Sequence, residues 1–300
     1  MTIKFIAIDW GSTNFRAYRV EEGQNTDVIT LPIGITQLKH PNFDQLLSDA
    51  LSPWHTWIEI FQVPIILAGM IGSDRGWVDS GYQMLPQPIS AIKRGCIQIK
   101  SSLSTPIYVH SGLAINTLNF TNVMRGEEVQ LLGAISLTND DCYVFPGTHS
   151  KWIEPIDGQI TSFNTIMTGE LYYILMQHSL LGQSVPKAVL PEGFALGLKE
   201  GTLAGSDIIS KLFIARSARV LHQMPAEMVA GWLSGLLIGH EVATQLTHFK
   251  NASSFSIIAA PALAKLYQQA FQLNHIETTA IDPEQGILYG FRSIYDELYS

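Results

Sequence analysis

Residues 3–33 read IKFIAIDWGSTNFRAYRVEEGQNTDVITLPI, and residues 142–166 read CYVFPGTHSKWIEPIDGQITSFNTI. In the first stretch, Ile3 to Ile8 is a short apolar run that ends at Asp9, which predicts a buried strand. Trp10-Gly11-Ser12-Thr13-Asn14 is a turn cluster. Phe15, Ala17 and Val20 are broken by Arg16 and Arg19 and predict a second strand; Glu21 to Asn25 turns, and Val28 to Ile33 is a third. The second stretch repeats the device. Cys142 to Phe145 is a strand, Pro146-Gly147-Thr148-His149-Ser150 a turn, Lys151 to Ile156 a strand, Asp157-Gly158-Gln159 a turn and Ile160 to Ile166 a strand. Gly11 to Gly23 spans 12 residues and Gly147 to Gly158 spans 11. Two matched three-strand units point to a duplication, although two unrelated hairpins would look the same.

Outward from these units the chain alternates helix and strand. A helix is predicted near Phe43–Phe61, ended by Pro64, then a strand over Pro64–Ala68 and a loop from Gly69 to Trp77. Pro86 to Gly95 reads as irregular, and a strand lies near Pro106–Val109. Arg125-Gly126-Glu127-Glu128 opens a helix to about Leu137, its acids placed where the helix dipole favours them. After the second unit, helices are predicted at Glu170–Leu181, Gly205–His222, Pro225–Phe249, Pro261–Phe271 and Pro283–Leu298, with one strand at Phe255–Ala259. The small residues Gly231, Ser234, Gly235 and Gly239 mark a close-packed helix, taken to link two domains. The expected domains are residues 1–135 and 136–300.

Composition narrows the function. With 46% apolar and 15% charged residues, the chain folds rather than staying disordered. A net charge of −8 without a basic run argues against nucleic acid as partner. Two cysteines, Cys96 and Cys142, make neither a disulfide scaffold nor a cysteine zinc site and read as buried thiols. The N-terminal apolar run is too short for a signal peptide, and Met228 to His240 is too short to span a bilayer. A cytoplasmic protein without a membrane partner is expected, its oligomeric state open and a homodimer included.

The sequence has no Walker phosphate loop, dinucleotide glycine fingerprint, nucleophile elbow or His-Glu-x-x-His helix. Asp9 to Asn14 follows a different logic. A buried strand delivers the Asp9 carboxylate to its end, suited to hold Mg²⁺ through water. Gly11 lets backbone approach a phosphate, and Ser12, Thr13 and Asn14 present amide and hydroxyl donors. Gly147, Thr148 and His149 form the second such turn. Either turn alone also reads as a plain hairpin; two at repeat positions favour phosphate binding.

These residues resemble the first phosphate motif and duplicated β-meander of the actin–sugar kinase–Hsp70 ATPase superfamily. The expected fold is therefore α/β, with duplicated ribonuclease-H-like (actin-like ATPase) domains, each a mixed five-stranded sheet with helices, and a cleft between them. More narrowly, the chain is similar to the 2-dehydro-3-deoxygalactonokinase family at residues 8–16 (IDWGSTNFR), 68–77 (AGMIGSDRGW), 123–133 (VMRGEEVQLLG), 146–152 (PGTHSKW), 167–171 (MTGEL) and 233–239 (LSGLLIG). The resemblance implies an ATP- and Mg²⁺-dependent kinase acting on the C6 hydroxyl of 2-dehydro-3-deoxy-D-galactonate in galactonate degradation. It places Glu127 as base, with Glu128 in reserve, and Asp9 beside Mg²⁺. Arg16 and Ala260 join the two turns on the nucleotide side. Gly72, Ser73, Arg125, Glu128, Thr168 and Glu170 are expected on the sugar side, although Arg125 serves equally as an ion-pair partner of Glu127 or Glu128, and Glu170 as a helix-start acid. Lys151 reads as a solvated strand residue. The adenosine turn departs from the superfamily pattern, with Ala259-Ala260 where glycine and a hydroxyl are usual. Two alternatives stay open: a kinase of this fold for another ketodeoxy or aldonic acid, and a non-catalytic sugar-acid sensor.

Overall fold

The alternating apolar residues at the N-terminus form β1 (Lys4–Trp10), β2 (Phe15–Glu21) and β3 (Gln24–Leu31) in a computed structural model that describes residues 3–299. Next come α1 (Phe43–Ala50) and α2 (His55–Phe61). The single helix expected here is broken by a 3₁₀ turn at Ser52–Trp54, because Pro53 has no amide to continue the ladder. Then follow β4 (Ile65–Ala68), β5 (Tyr82–Met84), β6 (Gln87–Pro88), α3 (Ile89–Lys93), β7 (Cys96–Ile99), β8 (Ile107–His110), β9 (Gly112–Asn116), β10 (Thr121–Met124) and α4 (Glu127–Leu137). Residues 86–95, read as irregular, thus hold a short strand and a helical turn; both are too brief for a periodic signal.

The second meander is β11 (Cys142–Phe145), β12 (Ser150–Ile156) and β13 (Gln159–Ile166). It leads to α5 (Thr168–His178), α6 (Pro191–Thr202), α7 (Ile208–Leu212), α8 (Ile214–Val220), α9 (Ala226–His248), β14 (Phe255–Ile258), α10 (Pro261–Leu273), β15 (Thr278–Ile281) and α11 (Pro283–Tyr299). The helix expected over residues 205–222 is divided into a 3₁₀ turn, α7 and α8.

The chain clusters into two units. One runs through Asn139 and adds Ile156–Ser162 and the segment from Pro283 onward; the other holds Asp140–Pro155 and Phe163–Asp282. The second unit therefore does not run to the C-terminus as expected: α11 packs on α4 in the first unit, with Gly286 and Gly290 against Gly133. In the first unit the sheet order is β3-β2-β1-β4-β8-β7, with β1 and β2 antiparallel and β4 and β8 parallel to β1. The second meander runs in the order β15-β14-β11-β12-β13, with β14 and β15 parallel to β11. Counted from the meander edge, both orders are third, second, first, fourth, fifth. The fold is α/β with a duplicated ribonuclease-H-like sheet.

Each unit has its own apolar core. Trp10, Phe15, Leu47, Trp54 and Ile65 centre the first, and Trp152, Phe194, Phe255, Tyr267 and Phe271 the sheet-facing core of the second. Within the second unit α6 lies tightly along α9. A β-carbon on Gly197 would sit 2.0 Å from the Trp232 carbonyl oxygen, and one on Gly235 would sit 2.2 Å from that of Phe194. The small-residue face of α9, taken to link domains, instead packs on α6 inside one unit.

Candidate active site

In the first unit three chain segments converge at the end of β1. Gly69, at the end of β4, has φ +93°, and a β-carbon there would lie 2.9 Å from the Trp10 carbonyl oxygen and 3.3 Å from Asp9 Oδ1. Gly126 has φ +105°, and a β-carbon on it would lie 3.6 Å from the Gly69 α-carbon. Both conformations favour glycine, so the backbone closes to contact and brings the start of α4 beside Asp9. Burial pushes the Asp9 carboxyl up to about 6; Arg16, its partner across the β1–β2 ladder, lowers it, and the nearby Glu128 raises it.

The Gly11–Asn14 turn is anchored through its carbonyl oxygens. Those of Gly11, Ser12 and Thr13 accept from the amides of Ile35, Thr36 and Gly34, and Thr36 Oγ1 also donates to Ser12 at 2.7 Å. In a trans peptide the carbonyl and the following N–H point oppositely. Turning these three carbonyls inward therefore turns the amides of Ser12, Thr13 and Asn14 outward, and all three residues are exposed. A β-carbon on Gly34 would strike Thr13 and Ser12 backbone at 2.2–2.3 Å. This glycine was not singled out in the sequence, because nothing local marks it; only the return of residues 34–36 to the turn does.

At the start of α4 the two glutamates bend back on their own helix. Glu127 Oε2 accepts from the Arg125 amide at 3.1 Å, and Glu128 Oε2 from the Gly126 amide at 2.6 Å. Their environments differ. Glu127 is partly exposed; Glu128 is fully buried, and its Oε1 faces His110 Nδ1 at 3.5 Å. Glu128, expected on the sugar side and in reserve as base, has no exposed surface in this structure. Arg125 stacks over Tyr82 and donates to Ser80 Oγ at 2.8 Å and to the Gly81 carbonyl at 3.0 Å. A β-carbon on Gly72 would lie 2.9 Å from Arg125 Nη1, so the Gly72 loop and Arg125 are neighbours. The Ser73 hydroxyl is buried and donates to the Met70 carbonyl, which makes it a loop brace.

The second unit repeats the inverted turn. The Thr148 carbonyl accepts from the Glu170 amide at 3.0 Å, and the Gly147 carbonyl lies against Gly169, where a β-carbon would sit 2.4 Å away. Thr168, Gly169 and Glu170 thus back the Gly147–His149 turn, and Glu170 Oε2 meets His149 Nε2 at 2.5 Å. Thr168 was expected on the sugar side, yet it is buried and its hydroxyl donates to Glu241. Glu241 is a hub that sequence reading passed over. Its carboxylate also accepts from Trp152 Nε1 at 2.8 Å, Tyr267 Oη at 2.6 Å and Ser150 Oγ at 3.3 Å. Burial raises its pKa and these four donors oppose the rise. Lys151, read as solvated, is buried and donates to Thr165 Oγ1. Ala260 is exposed at the N-cap of α10, beyond the end of β14.

The sequence profile of the 2-keto-3-deoxy-galactonokinase family matches residues 9–294, from Asp9 through the second unit to α11. The chain belongs to this family. The 2-dehydro-3-deoxygalactonokinase of Escherichia coli (strain K12) is 36% identical over 295 residues, 98% of each chain. A solved structure assigned as a 2-dehydro-3-deoxygalactonokinase of Sinorhizobium meliloti has a TM-score of 0.86 at 27% identity and covers 98% of this chain and 99% of that one. Component A of the Acidaminococcus fermentans (R)-2-hydroxyglutaryl-CoA dehydratase has a TM-score of 0.54 at 11% identity, covers 99% of this chain and 100% of its own, and shares the fold alone.

The stretches that carry the kinase-family resemblance map onto these contacts. Residues 8–16 and 123–133 meet through Gly69 and Gly126, and residues 146–152 and 167–171 through Gly147 and Gly169. Among the described residues no three His, Cys, Asp or Glu side chains gather around one point as a metal cage. Mg²⁺ in phosphoryl-transfer sites needs only one or two carboxylates besides phosphate and water, and the Asp9 carboxylate is a hard oxygen donor that fits that demand. No helix is long and apolar enough to cross a membrane among the described residues.

Proposed function

We propose that this chain transfers the γ-phosphoryl group of ATP to the C6 hydroxyl of 2-dehydro-3-deoxy-D-galactonate. Glu127 accepts the hydroxyl proton, the alkoxide oxygen forms a bond to the γ-phosphorus, and the bond to the β–γ bridging oxygen breaks to release ADP. The observation that carries this reading is the meeting of Asp9, Gly69 and Gly126, which sets a carboxylate-bearing helix start beside a phosphate-type turn. Between the two glutamates, partial exposure favours Glu127 as base, because both oxygens of Glu128 face protein groups.

In the first unit the outward amides of Ser12, Thr13 and Asn14, with Arg16, receive phosphate oxygens; in the second unit the Gly147–His149 turn is a phosphate turn of the same kind, and Ala260 at the start of α10 lies on the nucleoside side. Preset donors of this kind need no reorganisation as charge shifts to the leaving group. Asp9 would hold Mg²⁺ through water, and that ion, when bound, supplies neutralisation of phosphate charge. Arg125 beside Gly72 is the cation for the substrate carboxylate. A coupled ADP-release assay with Mg·ATP against 2-dehydro-3-deoxygalactonate, its gluconate epimer, galactonate, glycerol and glucose tests the reading. Turnover confined to the first compound supports it; turnover on another acid, or none, overturns it.

A further inference from the structure

His110 ends β8 and is fully buried. Its Nε2 lies 2.9 Å from the Ile92 carbonyl oxygen. A carbonyl only accepts, so Nε2 carries a hydrogen. In a neutral ring Nδ1 is then bare, and it faces Glu128 Oε1 at 3.5 Å. Among the described residues neither atom has another hydrogen-bond partner, and neither side chain is exposed. Two bare acceptors facing each other away from water are costly, whereas one added proton makes the pair a charge-assisted contact. The other oxygen of Glu128 accepts from the Gly126 amide, in the turn that precedes Glu127.

We propose that His110 is a positioning residue: it and Glu128 hold one proton between Nδ1 and Oε1, and this neutral pair fixes the Gly126 turn from which Glu127 projects. The proton pair stands on geometry alone, while its effect on turnover rests on the kinase reading with Glu127 as base. Removing the imidazole frees Glu128 to rotate or to take up its own proton, and the turn loses its clamp. A misplaced base costs about 10²-fold in turnover.

The test joins a spectroscopic signature to kinetics. Protein labelled with ¹⁵N at histidine is compared as wild type, Glu128→Met and His110→Asn, the last assigning the resonances. The expected wild-type Nδ1 signal is shifted away from that of a bare imidazole nitrogen, and the bare signal emerges in Glu128→Met. A bare Nδ1 in folded wild type overturns the proposal. In turnover, His110→Ala is expected to lower kcat about 10²-fold with the KM for ATP unchanged. His110→Asn, whose Nδ2 occupies the place of Nδ1 and donates to Oε1, recovers most of that loss. Unchanged kcat in His110→Ala, or no rescue by Asn, overturns the positioning role. If His110→Ala does not fold, the labelled wild type and Glu128→Met decide the proton pair, and Asn against wild type decides the clamp. Full activity in Glu127→Gln would instead sink the base assignment while leaving the nitrogen signature intact.

Discussion

Burying the Asp9 carboxyl makes its charged form costly. Its carboxyl is raised from the ordinary 3.8 to about 6, mainly by burial, so the native state binds its proton more tightly than the unfolded chain does. The stability contributed by that proton is complete below about pH 4 and is lost as pH rises through about 6. Asp9→Asn cannot ionise. It is expected to melt above wild type at pH 7, by a margin that closes below about pH 4, and to have lost turnover; differential scanning calorimetry across pH, beside the ADP-release assay, checks both. Wild-type kcat/KM should rise through about pH 6, with the apparent pKa falling as Mg²⁺ is increased, since a cation favours the ionised form. Glu127→Gln should lower kcat by about 10²–10⁴-fold with little change in melting temperature. Asp9 and the turn after it were legible in the sequence because a polar turn after an apolar run is a local signal. The difference between Glu127 and Glu128 was not: adjacent residues on a helix point about 100° apart, and only packing decides which is sealed.

Among the elements, the α6–α9 pair and the Glu241 hub answer to packing rather than propensity. Gly235→Ala places a methyl 2.2 Å from the Phe194 carbonyl oxygen, so the helices must part. The expected loss is about 1–3 kcal/mol, read by urea unfolding. Glu241 ties β12, the start of α5 and α10 to α9. Glu241→Ala takes their acceptor from the buried Thr168 hydroxyl and the Trp152 indole N–H, for an expected loss of about 3 kcal/mol. It should also raise the KM for ATP more than that for the sugar acid, because the hub braces the Gly147–His149 turn. The strands of both meanders, α4 and α10 were predicted within a few residues, since apolar periodicity and end signals lie within each segment. Helix α6 was missed although its glycines repeat every four residues at 193, 197 and 201. Glycine lowers helix propensity, and the contact that repays it lies on α9, far along the chain.

For the whole molecule, ligand binding should register as stability. A ligand that binds only the native state at 100 times its Kd adds about 2.7 kcal/mol, so Mg·ATP and the sugar acid should each raise the melting temperature, with glucose as the silent control. The duplicated sheet was visible in residues 3–33 and 142–166 because strand, turn and strand are short-range events, and family membership followed from motifs along nearly the whole chain. The division of the chain was not visible: α11 crosses back to pack on α4 of the first unit through Gly133, Gly286 and Gly290, so no linear boundary describes it. The sequence by itself determined the repeat, the turns and the chemical types at the site. Only the tertiary structure decided which groups are sealed and which are braced, namely Glu128 on His110, Thr168 on Glu241 and the Ser12–Thr13 carbonyls on residues 34–36. The reason is that local pattern sets a strand or a turn, whereas burial and hydrogen-bond partners come from segments distant in sequence.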